Sequence, residues 1–332
     1  MEDEKKVEDE NLKEKKLEGL KRSLSASEIV KMGKSDTTSE LTRLEREGRS
    51  ELWWIDPKEV ELREDSPKFG RISIIRRANW RHLGIAVKSM KDTKRYKSNL
   101  EELIAEIKVW RTLRHPNIVM FLGASYRPEL GLMIMLEFMS GGTLQDYLFK
   151  RKKINPEKNW KCAYDIASAM AFLHACTPPV IHGDLQPHNI LFNEHGVAKI
   201  GDFGLSKFVQ GTPLTNKSKK ARARYLAPEF LLWFSISLKS DVYAFGMILL
   251  DLFTAKLYHD KTKSVAELNG CQVDYLKIAK NGTPIDCKMV KDKVAKVLVQ
   301  ECTRKDVKVR FSFEQVTEYI ENIQDKKACT IM

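Results

Sequence analysis

The spacing of apolar residues changes at Gly141-Gly142, and that change limits the possible folds more than any other feature of the chain. Before the glycine pair the apolar residues come in short runs. Ile72 and Ile74, then Ile85-Ala86-Val87, predict strands between about 69 and 90, and Ile118-Val-Met-Phe-Leu and Leu132-Met-Ile-Met-Leu-Glu-Phe predict two more. One helix interrupts them, because Leu100, Leu103, Ile107 and Trp110 recur at intervals of three and four within 99–113. After the pair the pattern is helical. Trp160, Ala163, Ile166, Met170 and Leu173 form one stripe over 158–175, while 241–253 is apolar nearly all round and predicts a buried helix. A strand-rich first part and a helix-rich second part make an α+β chain of two lobes without internal repeats.

The apolar pattern begins at Trp53-Trp54, so a domain boundary is placed near residue 51. Residues 1–50 hold no Phe, Trp or Tyr and are crowded with Lys, Glu and Ser, too little apolar surface to offset the entropy of ordering. They are expected to be a disordered charged tail, with a fraying helix of Glu/Lys pairs as the alternative, and in neither case core. The tail carries a net charge of −1, so the remainder holds +13 of the total +12. Its Lys and Arg are dispersed and not interleaved with aromatics as on a nucleic-acid platform, so nucleic acid is not an expected partner. The six cysteines show no Cys-x-x-Cys or metal-like spacing and point to reduced thiols. The acidic N-terminus lacks an apolar signal region, and no apolar run reaches the roughly 18 residues of a membrane span, so a cytoplasmic location is expected.

Phosphoryl transfer asks a protein to place a nucleophile with a carboxylate and to neutralise phosphate charge with metal ions, lysine and backbone amides. Residues 182–192, His-Gly-Asp-Leu-Gln-Pro-His-Asn-Ile-Leu-Phe, followed by Asp202-Phe-Gly, offer those groups. Ile85-Ala-Val-Lys88, Glu106, Arg114-His-Pro-Asn-Ile-Val119, Glu137-Phe-Met-Ser-Gly-Gly-Thr-Leu, Ala227-Pro-Glu229, Asp241 and Arg310 complete an ordered set. From about 60 to 322 the chain therefore resembles the eukaryotic protein kinases, and most closely their tyrosine-kinase-like group.

The resemblance implies a bilobal protein-kinase-like fold, with a small strand-rich N-lobe and a larger helical C-lobe. It also implies transfer of the γ-phosphoryl group of ATP to Ser or Thr of a protein substrate, with Mg²⁺ or Mn²⁺. Among catalytic residues it makes Asp184 the base, Lys88 with Glu106 the holder of the α- and β-phosphates, and Gln186 the residue at the γ-phosphate. Gly70, Ala86, the gatekeeper Leu136, Glu137, Met139 and Leu191 would line the ATP site. Asn189 and Asp202 would bind the metal, and Glu229 with Arg310 would form a structural ion pair. Independently of the family, Glu106 lies on the inward edge of its helix stripe, where an unpaired carboxylate is costly, and Lys88 is the obvious partner.

The chain departs from the family at several points. Counted back from Lys88, the three loop glycines fall near 68, 70 and 73, where Lys68, Gly70 and Ser73 stand, with Arg81-His82-Leu83-Gly84 read as a lengthened connection. Gly183 replaces the usual Arg, leaving Thr212, Thr215 and Ser218 without that partner for a loop phosphate. Gln186 replaces a lysine, and Arg222 the usual Thr. Losing one preorganised charge-stabilising group costs about 10²–10³ in rate, which admits a second reading: a pseudokinase scaffold that binds nucleotide or partners with little catalysis.

The His-Gly-Asp-Leu-x-Pro-x-Asn stretch also resembles small-molecule kinases of the aminoglycoside phosphotransferase and choline kinase type. Ala-Pro-Glu, Arg310 and His-Pro-Asn-Ile-Val favour the protein kinases. Residues 323–332 form a basic tail ending Cys329-Thr-Ile-Met, a C-a-a-X box for farnesyl transfer to Cys329. One prenyl chain binds marginally and Lys326-Lys327 adds roughly 1 kcal/mol each near anionic lipid, so partial membrane association through prenylated Cys329 is expected.

Overall fold

The computed structural model describes residues 36–64, 68–69, 73–90, 96–151, 153–208, 223–254, 279–282 and 284–329. They fall into two compact units, one of residues up to 113 together with 120–138, the other of 114–119 together with residues from 139 on.

The first unit is built on one antiparallel sheet of β1 (Val60–Leu62), β2 (Lys68–Phe69), β3 (Ser73–Trp80), β4 (Leu83–Met90), β5 (Phe121–Arg127) and β6 (Gly131–Glu137). Its order is β1-β3-β4-β6-β5, with β2 also on β3. Alternation along β4 sends the fully buried Ile85 and Val87 to one face, packed with Ala78, Met133 and Met135, and Ala86 and Lys88 to the other. The connection after β3 is not lengthened. Trp80 pairs directly with Leu83, and Arg81 and His82, both at positive φ, make a two-residue hairpin turn; it is the strands, eight residues each, that are long.

Two helices complete this unit. Helix α2 is Tyr96–Trp110, numbered after α1 (Asp36–Ser50). Leu100, Leu103, Ile107 and Trp110 of α2 are buried as their spacing predicts. Helix α1 corrects the sequence reading, since it lies inside the segment expected to be a disordered tail. Leu41 and Leu44 are core residues, and α1 packs on α2 and β5. The helix supplies few apolar groups of its own and takes its apolar partners from distant parts of the chain, which a local composition window cannot see. Residues 1–35 lie outside the described residues.

The second unit is mainly helical: α3 (Leu144–Lys150), α4 (Pro156–Ala175), α5 (Pro228–Trp233), α6 (Leu238–Phe253), α7 (Lys293–Cys302) and α8 (Phe313–Cys329). A capping box of Thr143 and Asp146 starts α3, Asn155 with Pro156 starts α4, and Asp292 caps α7. Every residue from Ser240 to Phe253 is buried, with α4 and α7 packed against α6. Short strands β7 (Gly142–Thr143), β9 (Ile190–Phe192) and β10 (Ala198–Ile200) form one ribbon, and β8 (Val180–Ile181) with β11 (Lys207–Phe208) another. The Ile118 run is not a strand of the large sheet until Phe121; Ile118 bridges to Ile200 of the second unit.

Cys162, Cys176, Cys287 and Cys302 are free, and burial pushes the Cys162 and Cys302 thiols far up, out of nucleophilic range. Arg310, almost wholly enclosed, meets Glu229 through two bonds of 2.8 and 3.0 Å and donates to the Lys239 and Arg304 carbonyls, while Ser240 Oγ donates to Glu229. This is the brace expected from the sequence. Arg310→Met leaves Glu229 buried without its cation and is predicted to lower stability by about 3–5 kcal/mol in denaturant unfolding; a loss under about 1 kcal/mol would show that the pair braces nothing.

Candidate active site

In the first unit, alternation along β4 and the inward stripe of α2 bring two charges together. Lys88 Nζ lies 2.6 and 2.9 Å from the two carboxylate oxygens of Glu106, with both side chains buried. Ala86 is half-buried and pairs in register with Leu136, itself buried at the end of β6. Next to it the Glu137 carboxylate accepts the Met120 N–H at 2.7 Å and its own N–H bonds the Met120 carbonyl, which fixes the backbone leaving β6. The guanidinium of Arg77 sits 4.3 Å over the Phe138 ring. Gly70 lies outside the described residues, while Ser73 is a buried member of β3.

In the second unit one buried carboxylate arranges the stretch that opens with His182. Asp241, in the first turn of α6, accepts the His182 N–H on Oδ2 and the Gly183 N–H on Oδ1, each at 2.9 Å, and His174 Nε2 stands 3.1 Å from Oδ2. Just after these two amides the chain turns at Gly183, whose φ of +73 is a left-handed conformation that glycine adopts without strain. A Cβ there would stand 3.1 Å from the Leu205 carbonyl oxygen and 3.3 Å from Ile236, so a side chain at this position would be strained by about 1–2 kcal/mol. The fully buried His182 ring accepts the Asp184 N–H on Nδ1 at 3.2 Å; Nε2 therefore carries the proton and donates to the Gly201 carbonyl at 3.3 Å. Phe203 packs edge-on against that ring, and Ser206 Oγ donates to the His182 carbonyl.

Asp184 is thereby fixed through its backbone and held at its side chain. Asn189 Nδ2 donates to the Asp184 carbonyl at 2.8 Å, and Gln186 Nε2 donates to Asp184 Oδ1 at 2.8 Å. Gln186 thus acts on the carboxylate of Asp184, a contact the sequence did not suggest. Asp202 is exposed and sits at φ +63, a conformation that commonly stores about 1–3 kcal/mol and persists where the surroundings impose it. With its Nδ2 spent on Asp184, Asn189 keeps an amide oxygen, and Asp202 supplies a carboxylate. This hard-oxygen set fits a magnesium ion that takes one or two carboxylates and fills its remaining positions with water and phosphate. Leu191 of β9 is half-buried and packs against Gly201; Met139, also in this unit, is buried.

An open depression beside Asp184 is lined by Gly183, Tyr225, Ala227, Phe230 and Ile236. Its far wall is tied down by Asp251, a fully buried carboxylate that accepts the Tyr225 hydroxyl at 2.7 Å and pairs with Arg224. Thr212, Thr215, Ser218 and Arg222 lie outside the described residues. Sequence reasoning missed three supports. Asp165 accepts the Ala198 N–H, Asn117 donates to the Ala198 carbonyl, and His174 faces Asp241. Asp165 did leave a signal, a carboxylate within the apolar stripe of 158–175.

The family model described as protein tyrosine and serine/threonine kinase matches residues 66–320. Among curated relatives, the Arabidopsis thaliana protein named Probable serine/threonine-protein kinase SIS8 is 31% identical over 256 residues, 77% of this chain and 24% of the relative. Serine/threonine-protein kinase CTR1 of the same plant is 36% identical over 188 residues, 56% of this chain and 23% of the relative. Dual specificity protein kinase splA of Dictyostelium discoideum is 36% identical over 220 residues, 60% of this chain and 9% of the relative. The chain thus spans about a quarter or less of the length of these relatives. With this match over most of its length, and with Lys88 paired to Glu106 and Asp184 set by Asp241 in the manner described, the chain belongs to the protein tyrosine and serine/threonine kinase family.

Proposed function

We propose that this chain is a protein kinase that transfers the γ-phosphoryl group of ATP to Ser or Thr of a protein. The observation that carries the reading is the Lys88–Glu106 pair, since a buried ion pair is commonly no better for stability than apolar residues of the same volume, and a role in binding phosphate accounts for its presence. Bound Mg²⁺ supplies neutralisation of phosphate charge, with Asn189 and Asp202 as its protein ligands. Glu106 holds the Lys88 ammonium for the α- and β-phosphates. Asp184, steadied by Gln186, orients the acceptor hydroxyl and takes its proton. Gln186, its amide on Asp184, brings no charge to the γ-phosphate where the family carries a lysine, so a turnover of roughly 10⁻³ to 1 per second is expected in place of the usual range.

One observation favours a second reading. The Gln186 amide already occupies Asp184 Oδ1, which suits a scaffold that binds nucleotide and transfers little. Transfer of label from γ-labelled ATP by the pure chain, compared with Lys88→Met and Asp184→Asn, separates the two. Loss of at least about 10²-fold in both variants is predicted, and equal signals in all three proteins would leave only the scaffold.

We also propose that Cys329 is prenylated and tethers the chain to the cytoplasmic face of a membrane. Helix α8 ends at Cys329, and among the described residues no helix is long and apolar enough to cross a membrane. Lys326 and Lys327 add electrostatic attraction, so the association is salt-sensitive. Cys329→Ser is predicted to move the protein from the membrane fraction to the supernatant of lysed cells; an unchanged distribution would rule the anchor out.

A further inference from the structure

The family match begins at residue 66, yet 36–55 is ordered and packed within the first unit. Helix α1 lays Leu41, Leu44 and Gly48 inward. A Cβ at Gly48 would stand 2.8–3.0 Å from the Trp53 ring, so the indole rests directly on the helix backbone, and the Trp53 and Trp54 amides both bond the Gly48 carbonyl at 2.9 Å. The chain then joins the edge of β5: Ile55 N–H bonds Ala124 O, and Ala124 N–H bonds Trp53 O. That approach is so close that a Cβ on Gly123 would stand 2.5 Å from the Trp53 carbonyl oxygen. Residues 48–55 are therefore fixed at both ends.

What this segment grips is the C-terminal end of α2. Arg111, whose N–H continues the helical ladder onto the Ile107 carbonyl, has its guanidinium 5.6 Å over the Trp53 ring. The same guanidinium pairs with Glu51 and reaches Glu47 at 3.8 Å, and Trp53 Nε1 donates to Glu51 at 2.9 Å. Lys108 reaches Glu40 of α1 at 4.0 Å. Glu106 lies on α2 five residues before Arg111, which is tied to the end of that helix by its bond to the Ile107 carbonyl, so a shift of this end carries the Glu106 carboxylate with it.

We infer that residues 36–55 are a clamp that positions α2, and that Arg111 is the positioning residue through which they set the Lys88–Glu106 pair. The effect on catalysis rests on the kinase reading, and the effect on α2 does not. Isolated surface ion pairs contribute little. Here, however, the cation is shared by two carboxylates and an indole that is itself pinned to α1 and β5.

The test uses the full chain, Arg111→Ala, the Glu47→Gln/Glu51→Gln pair that loosens the same grip from the other side, and Glu106→Gln with and without Arg111→Ala. Without nucleotide, hydrogen exchange of the α2 amides is expected to rise about tenfold in both clamp variants while α4 and α6 keep their protection. The kcat is expected to fall about ten- to a hundredfold in the clamp variants, and Arg111→Ala is expected to add less than about twofold in the Glu106→Gln background. Unchanged exchange in α2 overturns the clamp whatever the activity. Faster exchange with no transfer by the wild-type chain supports the clamp and overturns the kinase reading. Faster exchange with kcat within about twofold of an active wild type, or an equal loss in the Glu106→Gln background, overturns action through Glu106.

Discussion

The second unit is organised around the carboxylate of Asp241. A buried carboxylate without donors is among the costliest features a fold can contain, and Asp241 satisfies itself by turning the amides of His182 and Gly183 toward it. The other details follow in sequence. With both amides held, the chain turns at the left-handed Gly183 and leads directly into Asp184. The turn then places the His182 ring to receive the Asp184 N–H, and the Asp184 carbonyl to receive Asn189. Because α6 is buried from Ser240 to its end, Asp241 stands on a fixed base for these bonds.

The same device recurs through the chain. Lys88 with Glu106, Arg310 with Glu229, and Asp251 with Arg224 and Tyr225 are buried polar sets in which each group has a partner. Such sets add little net stability over apolar packing, but once satisfied they rigidify one arrangement. Gly183 shows the exchange most clearly. Absence of a side chain allows the left-handed turn without strain, and the same absence leaves no cation at this position.

Much of this was legible in the sequence because it rests on local periodicity or on motifs in order. The α2 stripe marked Glu106 as an inward charge and Lys88 as its partner, and the apolar run of 241–253 is the buried α6. What was not legible depends on tertiary partners. Helix α1 shows only a sparse apolar face; the groups that make it core, α2, β5 and Trp53, are brought to it by the fold. Arg81 and His82 carry no turn signature, so the sequence suggests a longer connection than the tight hairpin that forms. Gln186 stands in the sequence at a position that implies a γ-phosphate contact, and the fold turns its amide onto Asp184.

Single-turnover phosphoryl transfer by Asp241→Asn tests the central claim most directly, namely that one buried carboxylate preorganises the turn carrying Asp184. The amide keeps the volume of the carboxylate but cannot accept on both sides, so the chain is predicted to stay folded by circular dichroism while the transfer rate falls at least about 10²-fold. A folded variant that transfers within about threefold of the wild-type rate would contradict the account.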